Sequence, residues 1–183
     1  RILAFTRMKS GADRLSTELR SLGVSAAPIH GDLPQRKREQ SLDRFGRGEI
    51  GVLVATNVAA RGLHIDGVDV VIHFDPPDDP KTYLHRSGRT ARAGKSGIAL
   101  SLVTQYDLEL YQRIEAATGK KPEAYPTEKE EIMSFQGRVE EAQRHARVEM
   151  KAIAEARNNR GQGGGRGKER GKTRRDDMDK EDG

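Results

Sequence analysis

The 183-residue chain contains no cysteine and no tryptophan, and hydrophobic residues make up only 34% of it. The missing cysteines exclude disulfide scaffolds, thiolate metal sites and cysteine nucleophiles, and they suit a reducing compartment, so a cytoplasmic location is expected. Long apolar runs are also missing, and no segment is expected to span a membrane. No signal peptide is visible, and Arg1 opens what reads as a strand, so the natural N-terminus is expected upstream. The low hydrophobic share suits one domain of roughly 100 to 150 residues plus a solvated remainder, and excludes a large two-domain enzyme.

The charge is uneven. Lys and Arg number 33 against 28 Asp and Glu, a net of +5. From Arg160 to Arg175 seven basic residues stand against one acidic residue, interspersed with glycine, whereas Asp176 to Gly183 carries five acidic residues and one lysine. Neither block has enough apolar surface to offset the entropy of ordering it, so both are expected to be disordered. The glycine-arginine part suits phosphate backbones; the plainer alternative is a solubilising tail.

Upstream, apolar runs alternate with helical patterns. Strands are expected at Ile2 to Phe5, Ala26 to Ile29, Val52 to Ala55, Val68 to Phe74 and Ile98 to Val103. Helices are expected from Gly11 to Leu22, from Pro34 to Phe45, and from Asp107 to about Thr118 with Thr104 as cap. The continuous apolar runs at Val52 to Ala55 and Val68 to Phe74 imply burial on both faces. The fold class is therefore α/β, a parallel sheet with helices on both faces, and its ligands should sit at the carboxyl ends of the strands. A charged helix follows, over about 130–157, with a narrow stripe of Ile132, Phe135, Val139, Ala142, Ala146, Met150 and Ile153. It reads as a docking helix, one packed on its own domain, or a mostly solvated lead into the tail.

Three segments past strand ends are candidates for chemistry. In the first, His30, Gly31 and Asp32 precede a helix carrying Gln35 and Arg38, a grouping able to hold a phosphate; an ordinary Gly-Asp turn is the alternative. The second runs from Ala55 to Asp66. Thr56 offers a hydroxyl, Arg61 stands beside Gly62, and His64 and Asp66 could hydrogen-bond sugar hydroxyls; a tight strand-to-helix turn explains its small residues equally well. The third contains His85, Arg89 and Arg92 at i, i+4 and i+7, which a helix would place on one face. Such clustered cations call for an anion, and the terminal phosphates of a nucleotide fit the planar fork of arginine. A phosphate-cradling loop of the form GxxxxGKS/T is missing: five residues before the glycines of Gly94-Lys95-Ser96 and Gly171-Lys172-Thr173 stand Arg89 and Arg166. With no acidic DExD or DExH run either, something else must hold the nucleotide.

In order, Ile2 to Thr6, His30-Gly31-Asp32 with Gln35 and Arg38, Ala55 to Asp66, and His85-Arg86-Ser87-Gly88-Arg89-Thr90-Ala91-Arg92 resemble motifs IV, QxxR, V and VI of the DEAD-box RNA helicases of superfamily 2. The resemblance covers about residues 1–120. It implies a helicase C-terminal RecA-like domain over 1–122, a linker and charged helix over 123–157, and a disordered Gly/Arg-rich tail over 158–183. It further implies the second lobe of an ATP-dependent RNA helicase, with ATP and Mg2+ held mainly by an N-terminal RecA-like lobe outside this chain. Arg89 and Arg92 would reach the γ-phosphate, and His85 would couple the lobes. Gly62, His64 and Asp66 would face the nucleotide. Gly31, Asp32, Arg38 and Thr56 would hold the RNA backbone, with Arg61 nearby. The chain departs from the family at Asn57 and His64, where aspartate is usual, and at Ala91, where glycine is commoner and the exchange is expected to matter little. The alternatives are a DNA-directed lobe of the same superfamily and a non-catalytic RNA-binding or annealing module.

Overall fold

The computed structural model describes residues 1–163 apart from 61, 62, 64, 66, 93 and 95, with side chains through residue 156. Five strands, β1 Ile2–Thr6, β2 Ala26–Ile29, β3 Val52–Thr56, β4 Val70–His73 and β5 Ile98–Ser101, form one parallel sheet in the order β2-β3-β1-β4-β5. The chain starts at the central strand, places β2 at the edge, returns with β3 between β2 and β1, then crosses to the other side of β1. The order therefore reverses at β1, which puts the crevice at the carboxyl ends of β3, β1 and β4.

Strand residues alternate between two cores, as the two-residue side-chain period demands. Leu3, Phe5, Leu53, Ala55 and Val71 face one way, packed with Phe45 of α2 (Gln35–Gly46). Ala4, Val52 and Val54 face the other, against Ala12, Leu15 and Leu19 of α1 (Lys9–Ser21). Helices thus cover both faces, as expected. β3 is buried at every position, but β4 is not: its residues alternate between buried and half-buried, and β5, at the sheet edge, is half-buried at best. An apolar run is needed for burial on both faces but does not guarantee it, because an edge neighbour covers less.

Five further helices are present among the described residues: α3 Asn57–Ala60, α4 Pro80–Ser87, α5 Leu108–Thr118, α6 Lys129–Ser134 and α7 Gln136–Gly163. Two local expectations are corrected. Thr104 does not cap α5; Asp107 is the cap residue, and its carboxylate accepts from the Thr104 amide at 2.9 Å and hydroxyl at 2.6 Å. The helix expected to carry His85, Arg89 and Arg92 on one face ends at Ser87. The amides of Gly88, Arg89 and Thr90 bond back to Leu84, Arg86 and Ser87, and the Thr90 hydroxyl is drawn off to the Val68 carbonyl at 2.6 Å.

The chain divides into two compact units, 1–147 and 148–183, with the boundary inside α7. In the first, Ala142 and Ala146 of α7 are buried and His145 Nδ1 lies 3.1 Å from the Ser21 hydroxyl. Ile132 and Phe135 of the same apolar stripe are exposed. In the second, the helix continues to Gly163, six residues past the end expected from sequence; the expectation for 164–183 lies outside the described residues.

Candidate functional site

Two polar clusters lie at the carboxyl ends of the strands. The first is built on α4. Asp79 and Pro80 start that helix as a cap and a first-turn proline should: the Asp79 carboxylate accepts from the Thr82 amide at 2.7 Å, which lowers its pKa from the ordinary carboxylate value. His85 stands exposed on α4, Arg89 lies half-buried just beyond it, and Arg92 is exposed. With Lys81 and Leu84 they line an open concavity of about 700 Å³. Three permanent cations against the single carboxylate of Asp79 make it suited to a polyanion. Sequence spacing had brought the same three residues together by assuming one helix; a turn does it instead. Arg89 reaches the Ala60 carbonyl at 3.3 Å, and Arg92 Nε donates to the Gly88 carbonyl at 2.6 Å.

That turn contains Ala91 at φ 54°, the sole non-glycine residue with positive φ among the described residues. A Cβ in the left-handed region costs on the order of 1 kcal/mol. The expectation that alanine for glycine is a minor change here is therefore corrected.

Beneath the concavity lies a group that motif reading had left without a role. Arg86 is 2% exposed. Its guanidinium sits over the Phe5 ring, 5.0 Å from the centroid; Nε donates to Asn57 Oδ1 at 2.7 Å and one terminal nitrogen to the Asp75 carbonyl at 2.8 Å. Burial pushes its pKa down, offset by the nearby Asp78 carboxylate. Asn57 in turn donates to Asp78 at 3.4 Å, so a neutral amide bridges guanidinium and carboxylate. Beside it His73 is fully buried, stacked between Phe5 and Tyr83 with centroids 6.4 and 5.0 Å away, its Nε2 3.2 Å from the Ser87 hydroxyl. Burial, helped by Arg86, depresses its pKa from 6.5 to about 3, so this imidazole is neutral. In the sequence, Arg86, Ser87 and Asn57 stand inside the motif segments, but nothing there marks Arg86 or His73 as buried.

The second cluster lies at the ends of the adjacent strands β2 and β3. His30 is 1% exposed and its Nε2 meets Asp13 Oδ1 at 2.9 Å, while Lys9 Nζ contacts Asp32 at 2.5 Å. Gly31 is exposed and nothing within 4 Å would meet a Cβ there, so its small size serves no internal packing. Arg38, one turn into α2, keeps a buried Nε without a hydrogen-bond partner. Thr56 ends β3, 5% exposed, in register with Thr6. Gly31, Asp32, Arg38 and Thr56 thus share one end of the sheet. Arg61, Gly62, His64 and Asp66, which belong between the two clusters in sequence, lie outside the described residues. Among the described residues no group of three His, Asp or Glu could hold a metal ion, and no helix is long and apolar enough to cross a membrane.

Residues 1–94 match the helicase conserved C-terminal domain family. Over 183 residues the chain is 60% identical to the ATP-dependent rRNA helicase RRP3 of Gibberella zeae and 55% identical to the protein of that name from Botryotinia fuckeliana, each time over 99% of this chain and 38% of the relative. Among solved structures it resembles the E. coli DEAD-box protein SrmB, bound there to the regulator of ribonuclease activity A, with TM-score 0.60 and 36% identity over 70% of this chain and 82% of that one. It also resembles S. cerevisiae Dbp5 bound to RNA and ADP BeF3, with TM-score 0.64 and 32% identity over 78% of this chain and 38% of that one. A five-stranded parallel sheet of this order, with its polar clusters at the switch point, is a RecA-like helicase lobe. The chain belongs to the helicase conserved C-terminal domain family, in its DEAD-box branch, and spans about 38% of the length of the curated relatives it matches.

Proposed function

We propose that the chain is the second lobe of an ATP-dependent RNA helicase, closing on ATP and Mg2+ held mainly by an N-terminal RecA-like lobe. The observation that carries this reading is the concavity in which Lys81, Arg89 and Arg92 face a single carboxylate. Arg89 and Arg92 stabilise negative charge on the γ-phosphoryl group as it leaves, and His85, on the exposed side of α4, couples the two lobes. Arg89 donates to the Ala60 carbonyl at 3.3 Å, a long hydrogen bond to a neutral acceptor in place of which a phosphate oxygen offers a charge-assisted one. The bound nucleotide supplies the reactive phosphoanhydride; this lobe's described residues supply anion donors and no metal cage. Gly62, His64 and Asp66 are assigned to the nucleotide, with His64 standing at the position where aspartate is usual.

Gly31, Asp32, Arg38 and Thr56, with Arg61 nearby, grip an RNA backbone. The open space over Gly31 and the unpartnered Arg38 Nε support this assignment. Closure bends one strand and unpairs a short duplex, reading shape and 2′-hydroxyls rather than sequence. The relatives' names point to ribosomal RNA as substrate, and a cytoplasmic setting fits the cysteine-free composition.

In the complete protein, Arg89→Ala or Arg92→Ala is expected to cut RNA-stimulated ATP turnover by about 10³, while the isolated chain turns over no ATP. Near-normal kcat in both variants, or robust hydrolysis by the fragment, refutes the reading. Equal stimulation by duplex DNA and RNA favours the DNA-directed lobe. RNA annealing that survives with both arginines removed and needs no ATP favours the non-catalytic module.

A further inference from the structure

The segment after the arginine turn contains a glycine, Gly97, whose role follows from space rather than from backbone freedom. A Cβ built there falls 1.9 Å from Thr90 Oγ1, 2.9 Å from Thr90 Cβ and 2.6 Å from the backbone nitrogen of Ala91. A side-chain oxygen can swing aside, but the Ala91 nitrogen belongs to the turn itself. Thr90 cannot retreat either. It is 6% exposed, its hydroxyl is shared between the carbonyls of Val68 at 2.6 Å and Asp69 at 3.1 Å, and it forms a parallel bridge with Val68. The Val68 amide bonds the Arg89 carbonyl at 3.2 Å. On the other side, the amide of Ile98 bonds the Asp69 carbonyl at 3.1 Å, which ties the residue following Gly97 to the same loop that holds Thr90.

The turn from Gly88 to Arg92 is thus wedged between the Val68–Asp69 loop and the backbone at Gly97. Within it Ala91 stands in the left-handed region at φ 54°. Arg89 and Arg92 flank the two clamped residues, so a shift of Thr90 or Ala91 displaces the backbone that carries both guanidinium groups.

We propose that Gly97 and Thr90 are positioning residues for the arginine pair: the bare backbone at Gly97 is the stop against which the turn rests, and the Thr90 hydroxyl is the latch that holds it there. This rests on the reading of Arg89 and Arg92 given above. Phosphoryl transfer tolerates little displacement of its charge-stabilising groups, since a misplacement of about 1 Å can cost about 10² in rate. Neither Gly97 nor Thr90 touches nucleotide; both act through the turn.

The test uses the complete protein with its N-terminal lobe. Gly97→Ala and Thr90→Ala are each expected to lower kcat for ATP by about 10-fold or more, with RNA affinity and the KM for ATP within about 3-fold of the parent. Thr90→Ser, which keeps the oxygen, should restore kcat to within about 3-fold. Arg89→Ala is measured alongside. Loss of turnover in Arg89→Ala together with parental kcat in Gly97→Ala and Thr90→Ala overturns the latch alone, whereas parental kcat in Arg89→Ala overturns the arginine reading and the latch with it. A kcat loss accompanied by an equal loss of RNA affinity marks a general folding defect and also overturns the proposal. Should Gly97→Ala not fold, the Thr90→Ala and Thr90→Ser pair decides: equal turnover in the two refutes the latch.

Discussion

His73 is an ionisable residue in a place that disfavours its charged form. It sits on a strand tip between two aromatic rings, with the Arg86 guanidinium close by, and its folded pKa of about 3 lies far below the 6.5 of the unfolded chain. Above about pH 6.5 both states leave it neutral and it contributes no pH dependence. Below that, the unfolded chain takes up a proton that the folded chain refuses, so stability falls by up to about 1.4 kcal/mol per pH unit down to about pH 3. Urea unfolding followed from neutral pH downward should show this loss, and His73→Asn, which keeps a donor and an acceptor but cannot charge, should flatten it. An unchanged slope in that variant would show that the acid sensitivity comes from other groups. The same layer shows what single residues conceal in a sequence. Arg86 has the letter of a solvated helix arginine, yet it is buried over Phe5 and bonded to Asn57, because three elements distant in sequence meet around it.

At the scale of elements, α4 and the turn that closes it carry most of the chemistry. Its start was legible: Asp79 and Pro80 are a cap and a first-turn proline, and they act as such. Its end was not. Seven-residue spacing from His85 to Arg92 is what a continuous helix would use, but the helix stops at Ser87 and the Thr90 hydroxyl bonds the distant Val68 and Asp69 carbonyls instead. Reverting the strained position tests the energetics of this turn. Ala91→Gly removes the left-handed penalty of about 1 kcal/mol but adds the unfolded-state entropy of glycine, so it should stabilise the fold slightly, by up to about 0.6 kcal/mol. A lower unfolding midpoint for Ala91→Gly in chemical denaturation would contradict that account. The Thr104 to Asp107 segment teaches a similar lesson on a smaller scale, since a threonine and an aspartate three residues apart can each serve as acceptor and only geometry assigns the roles.

For the whole molecule, the basic block from Arg160 to Arg175 separates by composition from the folded lobe, and its effect should be electrostatic. Deleting residues 158–183 from the complete protein is expected to weaken RNA binding and to flatten its dependence on salt, by up to about 0.7 in the log–log slope for each phosphate no longer neutralised, without lowering kcat at saturating RNA. A salt slope equal to that of the parent would reduce the block to a solubilising segment. Sequence by itself determined the alternation of strands and helices, the parallel sheet and the family, because apolar periodicity and strand-end motifs are local patterns that survive whatever packs around them. It also named His85, Arg89 and Arg92 as neighbours, although for the wrong local reason. Only the tertiary structure decided that β4 is half-covered, that Arg86 and His73 form a buried layer under the site, and that Gly97 stands against the arginine turn. Each of these depends on which distant backbone comes within a few ångströms, and that information lies in the closure of the sheet rather than in any window of the chain.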